Sequence, residues 1–442
     1  SRGLGDVYKR QFMENRPEYI ISILALNKIG AIGVLINTSL TGAPLVHCIN
    51  SSDSKKCIIG AELAAPLEGV LNEINVTDKS NIYWVKDGEK YSCPSWASDL
   101  DTLLDESEKQ TPKEIGNVTA KDTAFYIFTS GTTGVPKAAL FPNTKIVAAS
   151  TNITKAGYRM NNEDCLYNCL PLYHSTGLML GLCACIHVGA STFIRRKFSA
   201  SAFWKEAQKF NTTAFVYVGE LCRYLSFQKE CEEEKNNPIS KMVGNGLRPD
   251  LWDCFRNRFK VERICEIYGA SEGNGMFMNL LNKDQTIGMT NVDLALLEYD
   301  VAEDKLKVDE NGKYIEVQEH QPGLALVKIG PNAVYNGYTD KKASEEKVIT
   351  NVFEEGDRWF NTGDLIKTMD VGFSLGRKHY QFVDRVGDTF RWKSENVSTN
   401  EVAEILNTFE QVNMANVFGV KVPQSEGRAG TVSYTHLRAH ET

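Results

Sequence analysis

The sequence feature that most constrains the fold is a strand pattern that runs directly into a glycine-rich loop, YIFTSGTTGVPKAA at residues 126–139. Glycine lets the backbone turn its N–H groups inward, and serine and threonine hydroxyls add donors, so such a loop can wrap anionic oxygen. Lys137 adds a positive charge three residues after Gly134. Because two residues separate them and an alanine follows the lysine, the spacing disfavours a P-loop kinase or GTPase. Alone, the loop fits an ordinary surface turn as well as it fits phosphate binding.

Strand and helix patterns alternate on both sides of this loop. A helix followed by a strand occupies residues 13–46, a strand and an amphipathic helix occupy 55–74, and a helix is expected at 144–156. Such alternation predicts a parallel sheet in an α/β architecture. Residues 285–340 have a different character, because alternating strands and hairpin signals such as DENGKY (309–314) make them β-rich.

The size and composition of the chain limit its functional class. With 442 residues, 42% of them hydrophobic and 24% charged, it is expected to be a soluble globular protein of two or three domains. A formal net charge of −7 provides no basic surface, so nucleic acid is not an expected partner. The 11 cysteines lack C-x-x-C spacing and predict reduced thiols, not a zinc or redox site. The apolar stretch 19–36 is interrupted by Asn27 and Lys28, and it predicts a buried helix and strand instead of a membrane span.

Both ends of the chain differ from the sequence next to them. SRGLGDVYKRQ (1–11) and VSYTHLRAHET (432–442) resemble translated adaptor sequence. Neither carries the apolar region of a signal peptide. We therefore predict that both segments are non-native, and we leave them out of the expected fold.

One alternative chemistry has a literal motif. GASEG at 269–273 matches G-x-S-x-G, the nucleophile elbow of serine hydrolases, with Ser271 as the nucleophile. An elbow also needs a helix directly after the serine, and Gly273 and Gly275 would weaken the first turn of that helix. The context therefore favours a loop at this point and disfavours a hydrolase.

Several motifs, in their order along the chain, resemble those of one enzyme family. TSGTTGVPKAA (129–139), YGASEGN (268–274), NTGDL (361–365) and DRVGDTFRWKSENVSTNEV (384–402) are similar to motifs of the adenylate-forming acyl-CoA synthetases. Four further segments narrow the resemblance to the branch of very-long-chain acyl-CoA synthetases and fatty-acid transport proteins. They are KFSASAFW (197–204), GELCRYL (219–225), GNGLR (244–248) and GDTFRWKSEN (387–396).

The resemblance implies a division into domains. A large N-terminal AMP-binding domain, with two α/β subdomains and a β-rich section, is expected at residues 12–384, and the start of a small, mobile α+β C-terminal domain at 385–431. Family members continue beyond EGRAG (426–430) with a part that holds a lysine used in adenylation, and they carry an N-terminal segment before Phe12. The resemblance therefore predicts a truncated chain that binds ATP but is impaired in adenylation.

The resemblance also implies an ATP site made from several short segments. Tyr268 is expected to stack beside the adenine, with the backbone of residues 244–246 along the adenine edge. Asp364 is suited to accept both ribose hydroxyls, since a carboxylate has two acceptor oxygens. Arg385 is expected to contact the ribose or a phosphate through its planar guanidinium. The residues implied for ATP binding are Thr129, Ser130, Gly131, Thr132, Thr133, Gly134, Lys137, Gly244, Asn245, Gly246, Tyr268, Gly269, Ala270, Ser271, Asp364 and Arg385.

Three residues are implied for catalysis. His174 matches a family position beside the α-phosphate and the acyl carboxylate, whereas an isolated histidine is more often a structural residue. Ser271 stands where the family usually has threonine and keeps a hydroxyl for the α-phosphate. Glu272 is the implied ligand of Mg²⁺, since a hard cation that bridges phosphate oxygens needs a carboxylate.

The acyl pocket and the hinge each have a structural alternative. Tyr217, Val218 and Gly219 end a strand that is expected to face the acyl pocket, and an apolar core explains them equally well. Gly387 matches the position about which the C-terminal domain swivels between the two half-reactions. Glycine suits a hinge because it absorbs a large φ/ψ change, and a simple turn glycine is the alternative.

The implied reaction is the ATP-dependent activation of long or very-long-chain fatty acids to acyl-CoA through an acyl-adenylate. ATP and Mg²⁺ are the expected cofactors, and coenzyme A is the co-substrate. Two alternatives share the motifs: a CoA ligase for bile acids or another bulky carboxylate, and a membrane-associated protein of fatty-acid uptake. The family further implies a membrane surface as a partner of the full-length protein. An intracellular, membrane-associated location follows, at the endoplasmic reticulum, peroxisome or plasma membrane.

Overall fold

A computed structural model describes residues 8–52, 54, 56–76, 78–129, 136–301, 303–386, 390–392, 395–397, 399–407, 409, 411–421 and 428–436. The chain divides into two compact units. Unit 1 comprises Ser1–Gly244, Phe259–Arg263 and Asn336–Lys341, and unit 2 comprises Asn245–Arg258, Ile264–Tyr335 and Lys342–Thr442.

Strands and helices alternate through unit 1, and strands dominate unit 2. The strands before residue 246 are β1 (Tyr8–Phe12), β2 (Ile32–Leu35), β3 (Lys56–Gly60), β4 (Ile82–Val85), β5 (Ser98–Asp99), β6 (Thr123–Thr129), β7 (Lys137–Pro142), β8 (Cys165–Asn168), β9 (Ser191–Ile194), β10 (Ala214–Val218) and β11 (Lys241–Asn245). The later strands are β12 (Arg263–Gly269), β13 (Met276–Met278), β14 (Leu294–Leu297), β15 (Tyr299–Asp300), β16 (Lys305–Leu306), β17 (Gly323–Lys328), β18 (Val348–Thr350), β19 (Arg358–Met369), β20 (His379–Arg385), β21 (Phe390–Trp392), β22 (Glu395–Val397), β23 (Val412–Lys421) and β24 (Arg428–His436).

The helices are short. The α-helices are α1 (Pro17–Lys28), α2 (Gly42–Asn50), α3 (Ala64–Glu68), α4 (Leu100–Asp105), α5 (Asn143–Asn152), α6 (Ala184–Val188), α7 (Ala200–Lys209), α8 (Gly219–Ser226), α9 (Glu232–Lys235), α10 (Lys341–Glu345) and α11 (Thr399–Leu406). π-Helical turns occupy Ile153–Tyr158, Thr176–Cys183 and Cys254–Arg258, and 3₁₀ turns occupy Ala61–Leu63, Lys79–Asn81, Lys113–Asn117 and Pro249–Leu251. Over the described ranges, no helix combines the length and the apolar character that crossing a bilayer requires.

The first sheet of unit 1 has seven strands in the order β5-β4-β3-β1-β2-β6-β7, all parallel to their neighbours except β7. Residues 8–11, which the sequence analysis left out of the fold, form most of its central strand β1. Arg10 is fully buried there, and its guanidinium donates to the carbonyl oxygens of Ile49 (2.8 Å) and Ser52 (2.9 Å). Burial of a charged side chain in this way requires such acceptors.

The glycine-rich loop joins two antiparallel strands of this sheet. Strand β6 precedes it, as the sequence predicts, and Thr129 at its end is the cross-strand partner of Lys137 in β7. Strand β7 was not predicted, because its six residues follow the loop without the alternating pattern that marks a strand. The helix expected at 144–156 appears as α5, continued by the π-helical turn Ile153–Tyr158.

A second sheet in unit 1 orders its strands β11-β10-β8-β9, and β8 runs parallel to both β9 and β10. At the amino end of these strands, the Asp164 carboxylate accepts hydrogen bonds from Lys241 Nζ (2.9 Å) and Thr213 Oγ1 (2.6 Å). Burial raises the pKa of Asp164, but these bonds and the one donated by the Asn161 N–H outweigh it, so the pKa lies below its ordinary value. The ionised carboxylate therefore links the amino ends of three strands, β8, β10 and β11.

Unit 2 is built mainly from antiparallel strands. Its largest sheet runs β14-β17-β19-β18, with β20 also paired to β19, and β12 pairs with β13. Two hairpins, β21–β22 and β23–β24, follow later in the chain, and the second of them includes residues 432–436. Parallel sheets in unit 1 and antiparallel sheets in unit 2 confirm the predicted α/β class with a β-rich section. The domain boundaries, and the non-native origin of the two ends, remain predictions.

The Asp164–Lys241 pair yields a stability prediction. Lys241→Gln is expected to lower the free energy of unfolding by about 1–3 kcal/mol at neutral pH, because a largely buried carboxylate loses a charged donor. Since the pKa of Asp164 is lowered in the fold, its contribution is present above the unfolded-state pKa of about 3.9 and is lost as the pH falls through the folded value. Urea unfolding at several pH values measures the difference. Lys205→Gln, at an exposed position of α7, is the matched control. An equal loss of unfolding free energy in the two variants would contradict a stabilising role of the Asp164–Lys241 pair.

Candidate functional site

Some of the sequence-predicted site residues cannot be placed. Ser130, Gly131, Thr132, Thr133 and Gly134 of the loop, and the hinge candidate Gly387, lie outside the described residues. The two ends of the loop are placed, because Thr129 and Lys137 face each other across β6 and β7. Thr129 Oγ1 donates to the Lys137 carbonyl oxygen at 3.5 Å, a long hydrogen bond.

The ammonium group of Lys137 lies against an aromatic ring. Its Nζ is 5.9 Å from the centre of the Tyr338 ring, and Tyr338 forms a backbone bridge to Ala139. The face of an aromatic ring attracts a cation without neutralising it. Among the described residues no carboxylate pairs with Lys137, so its charge remains available to an anion.

His174 precedes the π-helical turn Thr176–Cys183. The backbone N–H of His174 donates to the Pro171 carbonyl oxygen (3.1 Å), and the backbone carbonyl of His174 accepts from Leu178 N (3.0 Å). The ring keeps part of its surface exposed, yet burial of the rest lowers the pKa of His174. A histidine with a lowered pKa is neutral at pH 7, so one ring nitrogen can accept a hydrogen bond and the other can donate.

A buried amide holds the chain that leads to His174. Asn15 donates to the carbonyl oxygens of Leu170 (2.7 Å) and Arg195 (3.2 Å), and its Oδ1 accepts from Leu172 N (2.9 Å). Asn15 is 6% exposed, so these backbone groups have little access to water. The sequence analysis missed this residue; the available signal was an asparagine two residues before Pro17, the first residue of α1.

The predicted acyl-pocket residues lie where β10 meets α8. Tyr217 is fully buried, whereas Val218 and Gly219 are half-buried. Gly244 lies against this strand so closely that a Cβ there would come within 2.1 Å of the Tyr217 carbonyl oxygen and 2.6 Å of its Cγ. The two predicted sites are thus in direct contact within unit 1. The assignment of Tyr217 to an acyl pocket stays a prediction.

Three of the predicted residues of unit 2 form one hydrogen-bonded cluster. The hydroxyl of Tyr268 donates to Asp364 Oδ2 at 2.5 Å, and Arg385 Nε donates to Oδ1 at 3.3 Å. Asp364 is 5% exposed, and its burial raises the pKa, an effect that the bonds from Tyr268 and Arg385 oppose. The Tyr268 pKa is raised well above its ordinary value by burial and by the Asp364 charge, so the phenol remains a donor. One carboxylate is therefore oriented by a neutral and a charged donor.

Local backbone structure places this carboxylate. Asp364 and Arg385 are direct cross-strand partners in β19 and β20, and a bulge follows at Leu365 and Ile366. Gly363 has φ +75°, a left-handed conformation that glycine adopts without steric cost. The Thr362 hydroxyl accepts from the Asp364 N–H at 3.1 Å. The NTGDL segment thus turns within a strand and directs the aspartate inward.

The segment that contains Ser271 and Glu272 is a turn. The N–H of Gly273 donates to the Ala270 carbonyl oxygen (3.1 Å), and the chain then enters β13 without forming a helix. The serine-hydrolase elbow is therefore wrong on structural grounds, as its sequence context predicted. Ser271 and Glu272 are half-buried. Burial, and after it the charge of Glu272, raise the pKa of Tyr335 to about 12.

The buried carboxylate of Glu266 supports the turn at residues 244–246, whose sequence is Gly-Asn-Gly. Glu266 is 4% exposed and accepts from the N–H groups of Gly246 and Leu247, the latter at 3.2 Å. Gly246 has φ +79°, so its backbone takes a conformation that suits glycine. Asn245 is exposed beside this turn. The sequence analysis did not single out Glu266, although a glutamate within the apolar strand VERICEIYG was a usable signal.

No cluster of three or more histidine, cysteine, aspartate or glutamate side chains that could hold a metal occurs in the described part of the chain. The predicted Mg²⁺ ligand Glu272 is thus a single carboxylate. Mg²⁺ is commonly held by one or two carboxylates together with substrate phosphates, and a single glutamate fits that mode.

Comparisons with known proteins point to one family. The family model described as "AMP-binding enzyme" matches residues 11–338. The medium/long-chain-fatty-acid–CoA ligase FadD6 of Mycobacterium tuberculosis is 39% identical over 438 residues, which cover 99% of this chain and 70% of the relative. Long-chain fatty acid transport protein 6 of Mus musculus is 37% identical, with 95% of this chain and 67% of the relative covered.

Solved structures share the fold at low sequence identity. The anthranilate CoA ligase AuaEII in complex with anthranoyl-AMP matches with a TM-score of 0.78 at 19% identity, covering 97% of this chain and 77% of that one. ATP-bound MatB from Rhodopseudomonas palustris also matches with a TM-score of 0.78 at 19% identity, covering 99% and 80%. At this identity the likeness establishes the fold, and it confirms the fold class inferred from the motifs.

The turn at Ser271 predicts the absence of a serine nucleophile. A fluorophosphonate probe is expected to leave Ser271 unlabelled, because the residue lacks the strand-to-helix elbow that activates such a serine. Intact-protein mass spectrometry measures labelling, with an active serine esterase as the positive control. Stoichiometric modification that disappears in Ser271→Ala would contradict this expectation.

The Asn15 contacts predict local destabilisation around His174. Asn15→Leu is expected to lower the free energy of unfolding by about 2–4 kcal/mol, since it leaves a buried N–H and two carbonyl groups without their partner. Hydrogen exchange of residues 170–178 is expected to accelerate. Asn152→Leu, at an exposed position near the end of α5, is the control. If exchange at 170–178 were unchanged, Asn15 would not hold this segment.

Proposed function

The chain belongs to the AMP-binding enzyme family, and on this premise we propose that it activates fatty acids to acyl-CoA thioesters through an acyl-adenylate. The observation that carries the proposal is the 39% identity to a medium/long-chain-fatty-acid–CoA ligase across 99% of this chain. The buried cluster of Asp364, Tyr268 and Arg385 supports it, because the cluster orients a carboxylate suited to a diol such as that of ribose.

The proposed reaction has two steps. In the first, a fatty-acid carboxylate oxygen attacks the α-phosphorus of ATP, a P–O bond forms, and the bond to the pyrophosphate leaving group breaks. In the second, the coenzyme A thiol loses its proton and attacks the acyl carbonyl carbon, and AMP leaves with the electrons of the broken C–O bond. The products are the acyl thioester, AMP and pyrophosphate.

In unit 1, Lys137 and the loop that precedes it are the proposed partners of the triphosphate. A lysine that lies on an aromatic ring, without a carboxylate partner in the described chain, keeps its charge for phosphate oxygens. His174 is proposed to contact the reacting carboxylate or α-phosphate. Because its pKa is lowered by burial, it would act at neutral pH as an uncharged hydrogen-bond donor.

In unit 2, Asp364 is proposed to accept from the ribose hydroxyls, and Tyr268 to border the adenine while its hydroxyl holds Asp364. Arg385 keeps 59% of its side chain exposed, so it can contact the carboxylate and a ligand together. Glu272 is proposed as the protein ligand of Mg²⁺, which supplies positive charge to phosphate oxygens when bound. Ser271 offers a hydroxyl to the α-phosphate.

The preferred acid is proposed to be a long or very-long-chain fatty acid. Relatives named as long-chain fatty acid transport proteins, 37% identical in the mouse example, also favour a second candidate function in fatty-acid uptake. An intracellular, membrane-associated location is proposed with both. A bile acid or another bulky carboxylate is the competing substrate class.

The proposal predicts a nucleotide-dependent activity that requires Asp364. Pyrophosphate release, and trapping of the acyl-adenylate with hydroxylamine, are expected with palmitate, ATP and Mg²⁺, and a bile acid is expected to be the poorer substrate. Asp364→Asn is expected to reduce kcat/KM by about 10- to 1,000-fold, because a fixed carboxylate is lost where the nucleotide is oriented. Asp253→Asn, at an exposed position of unit 2, is the matched control.

Two results would contradict the proposal. One is equal activity of the Asp364→Asn and Asp253→Asn variants. The other is faster pyrophosphate release with a bile acid than with palmitate. A Mg²⁺ titration of Glu272→Gln adds a test of the metal assignment, since loss of a carboxylate ligand is expected to raise the Mg²⁺ concentration needed for half-maximal activity.

A further inference from the structure

The loop between β19 and β20, residues 370–378, presents two large apolar side chains to solvent. Phe373 is 74% exposed and Leu375 is 63% exposed, and Phe373 is the most exposed large hydrophobic residue in the described chain. Apolar side chains are often found singly at a surface, whereas these two lie with one residue between them at the tip of a hairpin. We refer to residues 370–378 as the hairpin tip.

The hairpin tip has a defined turn structure. The Gly372 N–H donates to Asp370 Oδ1 (2.8 Å), and the Arg377 N–H donates to the Ser374 carbonyl oxygen (3.0 Å). Leu375 has φ +54°, a conformation that leucine rarely adopts. The backbone therefore holds the exposed leucine in a conformation that has a steric cost.

Basic residues lie beside the apolar pair. Arg377 and Lys378 are exposed at the base of the tip. The acidic residues nearby are already engaged: Asp370 accepts from the backbone of the tip at 2.8 Å, and Glu319 pairs with Lys378 at 3.7 Å. The Lys378 and Glu319 side chains are 64% and 73% exposed, so this pair is weak and can exchange for another anion.

A polar cleft of about 340 Å³ opens behind the tip. Its lining includes His320, Thr368, Arg377, Lys378 and His379. His379 is 1% exposed, and its Nδ1 lies 3.2 Å from the Arg377 carbonyl oxygen. Because a carbonyl can only accept, Nδ1 carries the proton, and Nε2 is left as an acceptor. No described residue supplies a hydrogen bond to that buried Nε2.

We propose that the hairpin tip is a membrane-docking element, with Phe373 and Leu375 inserted at the boundary of the acyl chains and the cleft occupied by an anionic, hydroxyl-bearing lipid headgroup. Arg377 and Lys378 contact the headgroup phosphate, and a headgroup hydroxyl donates to His379 Nε2. Phosphatidylglycerol has this chemistry. The inference deepens the membrane-associated location proposed above, and it does not require ligase activity.

The area of the patch favours a lipid surface over a protein partner. Phe373 and Leu375 together expose on the order of 200–300 Å² of apolar surface, judged from the usual size of such side chains. A stable protein interface buries roughly 800 Å² on each partner. A bilayer interface binds segments that combine a few apolar side chains with basic residues, since insertion and attraction to anionic lipid add together.

The test is co-flotation of the whole chain with vesicles of phosphatidylcholine alone, or of phosphatidylcholine mixed with phosphatidylglycerol or phosphatidylserine. Binding is expected to be strongest to phosphatidylglycerol and to weaken with salt. Phe373→Ser/Leu375→Ser is expected to lose at least about tenfold in binding. Ile21→Ser/Leu24→Ser removes a matched pair of exposed apolar residues from α1, which are 65% and 46% exposed, and is expected to bind as the unchanged chain does.

Insertion is measured directly with Phe373→Trp and lipids brominated on the acyl chains. Quenching of the added tryptophan beyond that of the native tryptophans supports insertion, and its absence overturns it. Equal vesicle binding by the Phe373→Ser/Leu375→Ser variant and the unchanged chain would also overturn the docking role. Equal binding to phosphatidylglycerol and phosphatidylserine would remove His379 from the proposal. Pyrophosphate release in detergent-dispersed palmitate is measured on the same variants, so failure of the ligase function is distinguished from failure of docking.

Discussion

A carboxylate buried as completely as that of Asp364 must be hydrogen-bonded, and this requirement organises the centre of unit 2. The hydroxyl of Tyr268 and the guanidinium of Arg385 come from strands far apart in the sequence, and both donate to it. Asp364 faces Arg385 directly across β19 and β20, so its carboxylate adds a side-chain contact to the backbone pairing of these strands. It also keeps the Tyr268 phenol protonated, since a negative charge beside a buried phenol raises its pKa. Structure and proposed chemistry thus depend on the same three side chains.

The fold class could be predicted from the sequence, because strand–helix alternation and turn residues are local signals. The same holds for NTGDL, where a glycine with φ +75° precedes the buried aspartate. Strand β7 was not predictable in this way, since its register depends on pairing with β6 across the glycine-rich loop. Local pattern identifies elements, whereas pairing partners are set by the tertiary structure.

The residues that the sequence analysis missed all make contacts with residues distant in the sequence. Asn15 binds the carbonyl of Leu170, 155 residues away in the chain, and Glu266 binds backbone N–H groups about twenty residues before it. Tyr338 meets Lys137 from a separate segment. In each case the side chain contacts a predicted site residue, or the backbone near one, although it lies outside the motif that contains that site residue. Motifs contain the residues expected to touch a ligand, and supporting contacts become visible only once the backbone is placed.

The contact between Gly244 and Tyr217 limits how this part of unit 1 can vary. A side chain at position 244 would overlap both the backbone and the ring of Tyr217, so strands β10 and β11 are held at a spacing that only glycine permits. A change at Tyr217 has more freedom, because a smaller side chain would leave space next to Gly244. Steric contact therefore confines position 244 to glycine, whereas a smaller side chain at position 217 does not meet this limit.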